Sequence, residues 1–245
     1  MAIGARDNTA TIHRELRAAI LQGRVLPGAE LSQVKIAEDF GVSRGPVREA
    51  LRLLEREGLV EAELNRRVRV TPLSPDDLEE LYALRIVNEA FGIRTSVPHL
   101  TDEELASLHA DLDELRALAD TDLLRWELVH RRFHHSLIAY SGTRIVRLID
   151  QLYDHAERYR MAYVAQGPRA WSQGDAEHRE IVAACEARDP AEAAAALARH
   201  LARTASSVLM QVAPDHDPSV VRSAVRAASS PEPAPRPPRV ALQRM

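Results

Sequence analysis

Between residues 8 and 22, Ile12, Leu16, Ala19 and Ile20 recur at the spacing of one helix face. GRVLPG breaks that pattern, and a second short helix follows with Val34, Ile36, Ala37 and Phe40 as its apolar residues. Gly41 ends it. Ser43 is placed to cap a third helix in which Val47, Ala50, Leu51 and Leu54 fall at i, i+3, i+4 and i+7 and face inward. Gly58 stops that helix. The stretch GLVEAELNRRVRVTP then holds two short apolar runs either side of residues 65–67, which predicts a β-hairpin. Three helices and a hairpin within about 70 residues are the pattern of a winged helix-turn-helix.

The periodicity changes at TPLSPDD. Ser74 suits an N-cap, Pro75 the first helical position, and Asp76 and Asp77 the positive end of the helix dipole. Thr101 with Glu104 forms a capping box, and Asp189-Pro190 with Glu192 repeats the cap, proline and acid order. Helices are expected near 122–141, 143–166, 170–187 and 190–211, with no strand among them. The pattern therefore predicts a mainly α protein: an N-terminal winged helix-turn-helix over 1–73 and a C-terminal antiparallel six-helix bundle over 74–211. Residues 212–245 are proline-rich and read as a solvated tail, interrupted by SVVRSAVRAA, a candidate short helix.

Composition narrows the class. Hydrophobic residues make up 45%, enough for a real core, aromatics are only 4%, and Ala, Leu, Arg and Glu dominate, a helix-forming composition. Cys185 is the single cysteine, so no disulfide forms within the chain, which fits a reducing cytoplasm. The N-terminus has no apolar signal core, and no apolar run reaches the length of a membrane span. The net charge of −4 by itself argues against nucleic acid. It is unevenly spread, however: residues 1–73 hold 12 Lys/Arg against 10 Asp/Glu, while 74–211 hold 15 against 23. The acidity belongs to the middle, and the front end is mildly basic.

That front end carries the chemistry of a DNA reader. Arg44 and Arg48 lie four apart, opposite the buried stripe, where an arginine can reach guanine O6 and N7. The helix N-terminal amides near Ser43 and Gly45 can hold a phosphate. Arg66, Arg67 and Arg69 put positive charge on the hairpin. GVSRG also matches the G-x-S-x-G nucleophile elbow, but that motif needs a strand leading into the serine, and here the lead-in, IAEDF, is helical. Taken together, ILQGRVLPGAEL, IAEDFGVSRGPVREAL and LEREGLV resemble the DNA-binding domain of GntR-family transcription regulators, almost without gaps over residues 10–72. The resemblance implies that Arg44 and Arg48 read bases or adjacent phosphates, with Ser43 and Gly45 on the backbone. Val34 stands where the family usually has an arginine, which shifts that phosphate contact to Lys35 or removes it. Arg67 stands where the family's wing usually has a glycine.

The second half holds a histidine pattern. At 100° per residue His130 and His134 lie about 40° apart on one helix face, whereas His135 is about 140° from His130 and points elsewhere. His178 and His200 are equally far from residue 189, in the break between two helices, so in an antiparallel hairpin they face each other, each roughly 16 Å from the turn. Read singly, each is an ordinary helix histidine. Four in matched register point to a metal site built from facing helices. Imidazoles alone leave the ion open among zinc, nickel, copper and iron. Arg131 follows His130, so no HExxH metalloprotease motif exists.

Residues 76–203, with LYALRIVNE, RRFHHSL, EHREIVAA and ARHL in order, resemble the FCD effector domain of the FadR subgroup, and the count of six helices resembles its VanR-type branch. That family's site is one aspartate and three histidines. His134, His178 and His200 match the histidines, and His130 stands in the aspartate's place. The resemblance implies a divalent transition metal, zinc or nickel first, and a small carboxylate effector. Arg85 matches the family arginine that would bind the carboxylate, although Glu89, four residues on, is an equally good partner for it. Arg158 and Tyr159 are further pocket candidates. The sequence thus reads as a homodimeric, cytoplasmic regulator of double-stranded operator DNA. The alternatives are a metal-dependent enzyme built on the histidines, or a DNA-binding dimer without effector.

Overall fold

A computed structural model of the chain describes residues 5–62, 67–119, 121–164 and 167–229. The N-terminal unit holds α1 (Ala5–Leu21), α2 (Gln33–Asp39) and α3 (Arg44–Arg56), with three short strands, β1 (Glu30–Leu31), β2 (Val60–Ala62) and β3 (Val68–Val70). The expected hairpin is present as β2 paired antiparallel with β3, Val60 opposite Val70 and Ala62 opposite Val68. β1 adds a third antiparallel strand on the far side of β3, giving the order β1-β3-β2. Two residues are too few for an alternating pattern, so β1 had no signature in the sequence. Val47, Ala50, Leu51 and Leu54 of α3 are buried against α1 and the sheet. Gly41 and Gly58 end α2 and α3 at positive φ, 62° and 68°, where a side chain would be strained.

The helical unit follows: α4 (Pro75–Ser96), a 3-10 turn (Val97–His99), α5 (Asp102–Leu118), α6 (Leu123–Leu137), α7 (Thr143–Val164), α8 (Pro168–Glu186) and α9 (Pro190–Val212). Its predicted caps form. Ser74 Oγ accepts from Asp77 N, the Thr101–Glu104 capping box closes both ways, and Asp189 accepts from Ala191 and Glu192. α4 is the central helix, packed on α7, α9 and α10 (Ser219–Ser229) and buried around most of its circumference. Gly92 permits its close approach to Ile138: a Cβ there would lie 2.9 Å from Ile138 Cγ2.

The expected solvated tail is corrected over residues 213–229. α10 packs along α4 and α9 with Val221, Ala224 and Ala228 buried. Glu79 caps its start, accepting from Val220 N at 2.6 Å and Val221 N at 3.3 Å, and Arg94 donates to Ala228 O at its end. Only residues 230–245 of that tail lie outside the described residues. α10 is a seventh helix beside the six predicted, so the helix count no longer supports a VanR-type branch. Among the described residues no helix is long and apolar enough to cross a membrane.

The two units meet through α7. Arg17 of α1 donates to the buried Glu157 and pairs with Glu57 at the end of α3. His155 Nε2 lies 3.0 Å from Arg56 O, and Arg158 Nη1 donates to Gly58 O at 2.8 Å. Arg158 and Tyr159 also hold Asp77 and the backbone of Ser74. They are junction residues, not the pocket residues expected from sequence.

Candidate functional site

α3 presents a polar front. Ser43, Arg44, Gly45 and Arg48 are all exposed, while the apolar stripe behind them is buried. Ser43 sits at the N-cap but makes no side-chain cap hydrogen bond, which leaves its hydroxyl and the first-turn amides facing outward. Arg44, Gly45, Arg48 and Arg67 line one concave surface between α3 and the sheet. Arg52 joins them there, a residue the sequence reading missed although it continues the Arg44 and Arg48 spacing. Ser43 and Arg44 line an adjoining hollow with the exposed Val34. Lys35 is exposed on α2 but lines neither surface. Arg66 lies outside the described residues. Arg69 is drawn aside by Glu61, 2.5 Å away across the hairpin.

The second site lies inside the helical unit. His130 and His134 project from α6, His178 from α8 and His200 from α9, all four buried. One ligand nitrogen from each can be chosen so that all lie within 4.8 Å of one another. The predicted hairpin partners His178 and His200 meet with ring centroids 4.5 Å apart, and His130 and His134 stand at the same spacing. His135 points out, its side chain 48% exposed and 3.9 Å from Asp150.

Whether these residues suit a metal turns on their unpaired atoms. Both ring nitrogens of His134 and Nε2 of His178 are buried without a hydrogen-bond partner among the described residues. His134 Nδ1 does stand 3.5 Å from Glu89 Oε2, too far to satisfy it. Burial, aided by the neighbouring histidines and Arg160, holds His130 well below the ordinary imidazole range, and His178 is lowered the same way by burial and its neighbours. Burial lowers His134 to about 4, against the pull of Glu89. Neutral imidazoles with open lone pairs are a metal's donors. A tetrahedral ion would hold such nitrogens about 3.4 Å apart, a contraction within reach of side-chain motion. The donor set therefore fits.

The surrounding groups orient the rings. His130 Nδ1 is 2.6 Å from Tyr153 Oη, and His200 Nδ1 is 2.9 Å from Glu177 Oε2. Burial would raise the Glu177 carboxyl, but His200 and Arg203 outweigh it and keep it ionised. At Glu89 burial is likewise overcome, mainly by Arg85, and its carboxyl is held at about 2. Two carboxylates thus flank four neutral imidazoles and supply negative charge that a histidine in place of aspartate does not. Nothing in the local sequence around Glu177 marked it; its role depends on the crossing of α8 and α9.

A cavity of about 370 Å³ opens from the histidines. Arg85, His130, His178 and His200 are among the residues that line it. Arg85 is 1% exposed, its Nε donates to Glu89 at 2.7 Å, and its Nη2 has no partner among the described residues. The body of the cavity is walled by Leu112, Leu115, Trp126, Val164, Ala170 and Trp171. Arg160 also faces it, held by Glu127 and the carbonyl of Tyr153. This arrangement can hold a divalent ion and a small anion side by side.

Comparison with known proteins matches residues 8–70 to the bacterial regulatory proteins of the gntR family and residues 80–203 to the FCD domain. The HTH-type transcriptional regulator BphR of Paraburkholderia xenovorans (strain LB400) is 33% identical over 207 residues, covering 81% of this chain and 84% of that protein. The HTH-type transcriptional repressor GlaR of Escherichia coli (strain K12) is 27% identical over 198 residues, covering 77% and 90%. The crystal structure of a GntR transcriptional regulator from Rhodococcus sp. RHA1 superposes with a TM-score of 0.67 at 28% identity, over 82% of this chain and 97% of that one.

Proposed function

Because the chain belongs to the GntR family of bacterial regulatory proteins and carries an FCD domain, we propose that it is a homodimeric transcriptional repressor that reads a palindromic operator and answers to a small organic acid held beside a divalent metal. Its relatives are transcription regulators, not enzymes. The observation that carries the effector half of this reading is a cluster of four buried histidines, three of which, His130, His178 and His200, line one cavity together with Arg85, whose Nη2 has no partner among the described residues.

On the DNA side, Arg44 and Arg48 reach base edges while Ser43, Gly45, Arg66 and Arg67 hold phosphates. Two copies related by a two-fold axis place two α3 helices in successive major grooves, about 34–36 Å apart. Leu84, Val87 and Phe91, each about half exposed, lie on one face of α4 and offer an apolar surface for the second copy.

On the effector side, His130, His134, His178 and His200 would hold the metal, which would supply positive charge beside Arg85 that attracts a carboxylate. Zinc and nickel suit this donor set. Arg85 orients the carboxylate, and the apolar walls exclude water. α7 carries both Arg160 at the cavity and Glu157, His155 and Arg158 at the DNA-binding unit. A ligand that favours one position of α7 therefore favours one arrangement of the DNA-binding units.

The test combines metal analysis with DNA binding. Chelated protein is reloaded with zinc or nickel, counted per chain, and titrated against a duplex from upstream of its own gene. One ion per chain, lost in His134→Ala, and binding tighter than to an unrelated duplex are expected. If His134→Ala keeps its metal, the metal assignment fails. Equal affinity for the two duplexes removes the operator reading.

A further inference from the structure

We infer that the acid recognised in this cavity is a monocarboxylate with a flat aromatic body, of the benzoate or cinnamate type, rather than a polyhydroxy acid or a di- or tricarboxylate. This rests on the small-acid reading above and specifies its ligand.

The inference comes from how the cavity distributes its polar atoms. Among the described residues Tyr82 Oη, Arg85 Nη2 and His178 Nε2 are buried and unpartnered, and all three residues line the cavity. The other polar groups on its walls are already engaged. Tyr163 Oη donates to Ala170 O and accepts from Arg203. Thr204 Oγ1 donates to His200 O at 3.1 Å. Arg160 is held by Glu127, and Arg116 by Asp175 at 2.6 Å. One open guanidinium nitrogen beside the histidines serves one carboxylate. A second carboxylate would meet only arginines already paired with carboxylates, and ligand hydroxyls against the apolar walls would give up water without replacement, at a loss of about tenfold or more in affinity for each.

One wall of the cavity is shaped for a ring. Trp126, stacked on His130 with centroids 4.5 Å apart and planes 23° apart, meets Trp171 edge-on at 5.0 Å and 88°. Two indoles at right angles present both a face and an edge, the two contacts an aromatic ring prefers. Leu112, Leu115, Val164 and Ala170 complete an apolar enclosure. Its volume of about 370 Å³ is near the lower limit for small-molecule pockets, room for one or two rings.

Calorimetric titration of the purified full-length protein with benzoate, cinnamate, hexanoate, gluconate, citrate and benzamide tests this. Benzoate or cinnamate should bind at least tenfold tighter than hexanoate, gluconate, citrate or benzamide. Trp171→Leu should bring the aromatic acids down to the level of hexanoate, and Trp171→Phe should retain the preference. Gluconate, citrate or hexanoate binding as tightly as the aromatic acids overturns the aromatic assignment and leaves the small-acid reading standing. Benzamide equal to benzoate removes the carboxylate anchor, and with it both readings. No binding by any acid also overturns both.

Discussion

Replacing Glu157 by glutamine tests the junction between the two units. Glu157 is 2% exposed on α7. Its Oε2 accepts from Arg17 of the DNA-binding unit, while Oε1 has no hydrogen-bond partner among the described residues. Burial and the nearby Glu127 raise its carboxyl to about 7, against the attraction of Arg17 and Arg160, and Glu57 adds a further negative charge. A glutamate in the unfolded chain titrates near 4.3. The folded state therefore binds this proton more tightly than the unfolded state. The associated stability is fully present below about pH 4.5 and is lost as pH rises through about 7. At about 1.4 kcal/mol per pH step the loss amounts to roughly 4 kcal/mol, which for a chain of this size corresponds to roughly 8–16 °C in Tm. Glutamine has the shape of the protonated acid and does not ionise. Thermal unfolding of wild type and Glu157→Gln, followed by circular dichroism from pH 5 to pH 8, should show the variant gaining on wild type as pH rises, by several degrees. A difference in Tm that stays constant across that range would refute the reasoning.

Three other outcomes are expected. Arg48→Ala should weaken operator binding by about 1–3 kcal/mol and relax preference at one base pair, whereas Arg67→Ala should weaken all sequences alike; competition binding at fixed salt separates the two. Gly92→Ala should lower stability although alanine favours helix, because its Cβ would sit 2.9 Å from Ile138 Cγ2; an overpacking cost of about 1–3 kcal/mol outweighs a helix gain of about 1, and urea unfolding reads the sign. Val221→Ala should lower Tm by a few degrees, since it removes two buried methyl groups from the contact of α10 with α4 and α9, at a cost of about 1–2 kcal/mol. An unchanged Tm would mean that α10 does not dock in solution.

What the sequence determined by itself rests on local chemistry. Apolar spacing set the helices, and Ser74, Thr101 and Asp189 set three of their starts, because a cap and its partner lie within three residues of each other. The i, i+4 spacing put His130 and His134 on one face, and equal distance from the turn at residue 189 put His178 opposite His200. Both follow from helix geometry alone. Only the tertiary structure decided the contacts whose partners are far apart in the chain and carry no periodic mark. β1 exists because β3 pairs with it. Glu177 reaches His200 because α8 and α9 cross there. Arg158 and Tyr159 belong to the junction, not the cavity, because α7 turns that face toward Gly58 and Asp77. Residues 219–229 become an ordered helix because α4 and α9 offer an apolar groove and Glu79 caps it. Eleven residues alone are too short for a stable helix in water, so the sequence of α10 could suggest a helix and only its docking could decide it.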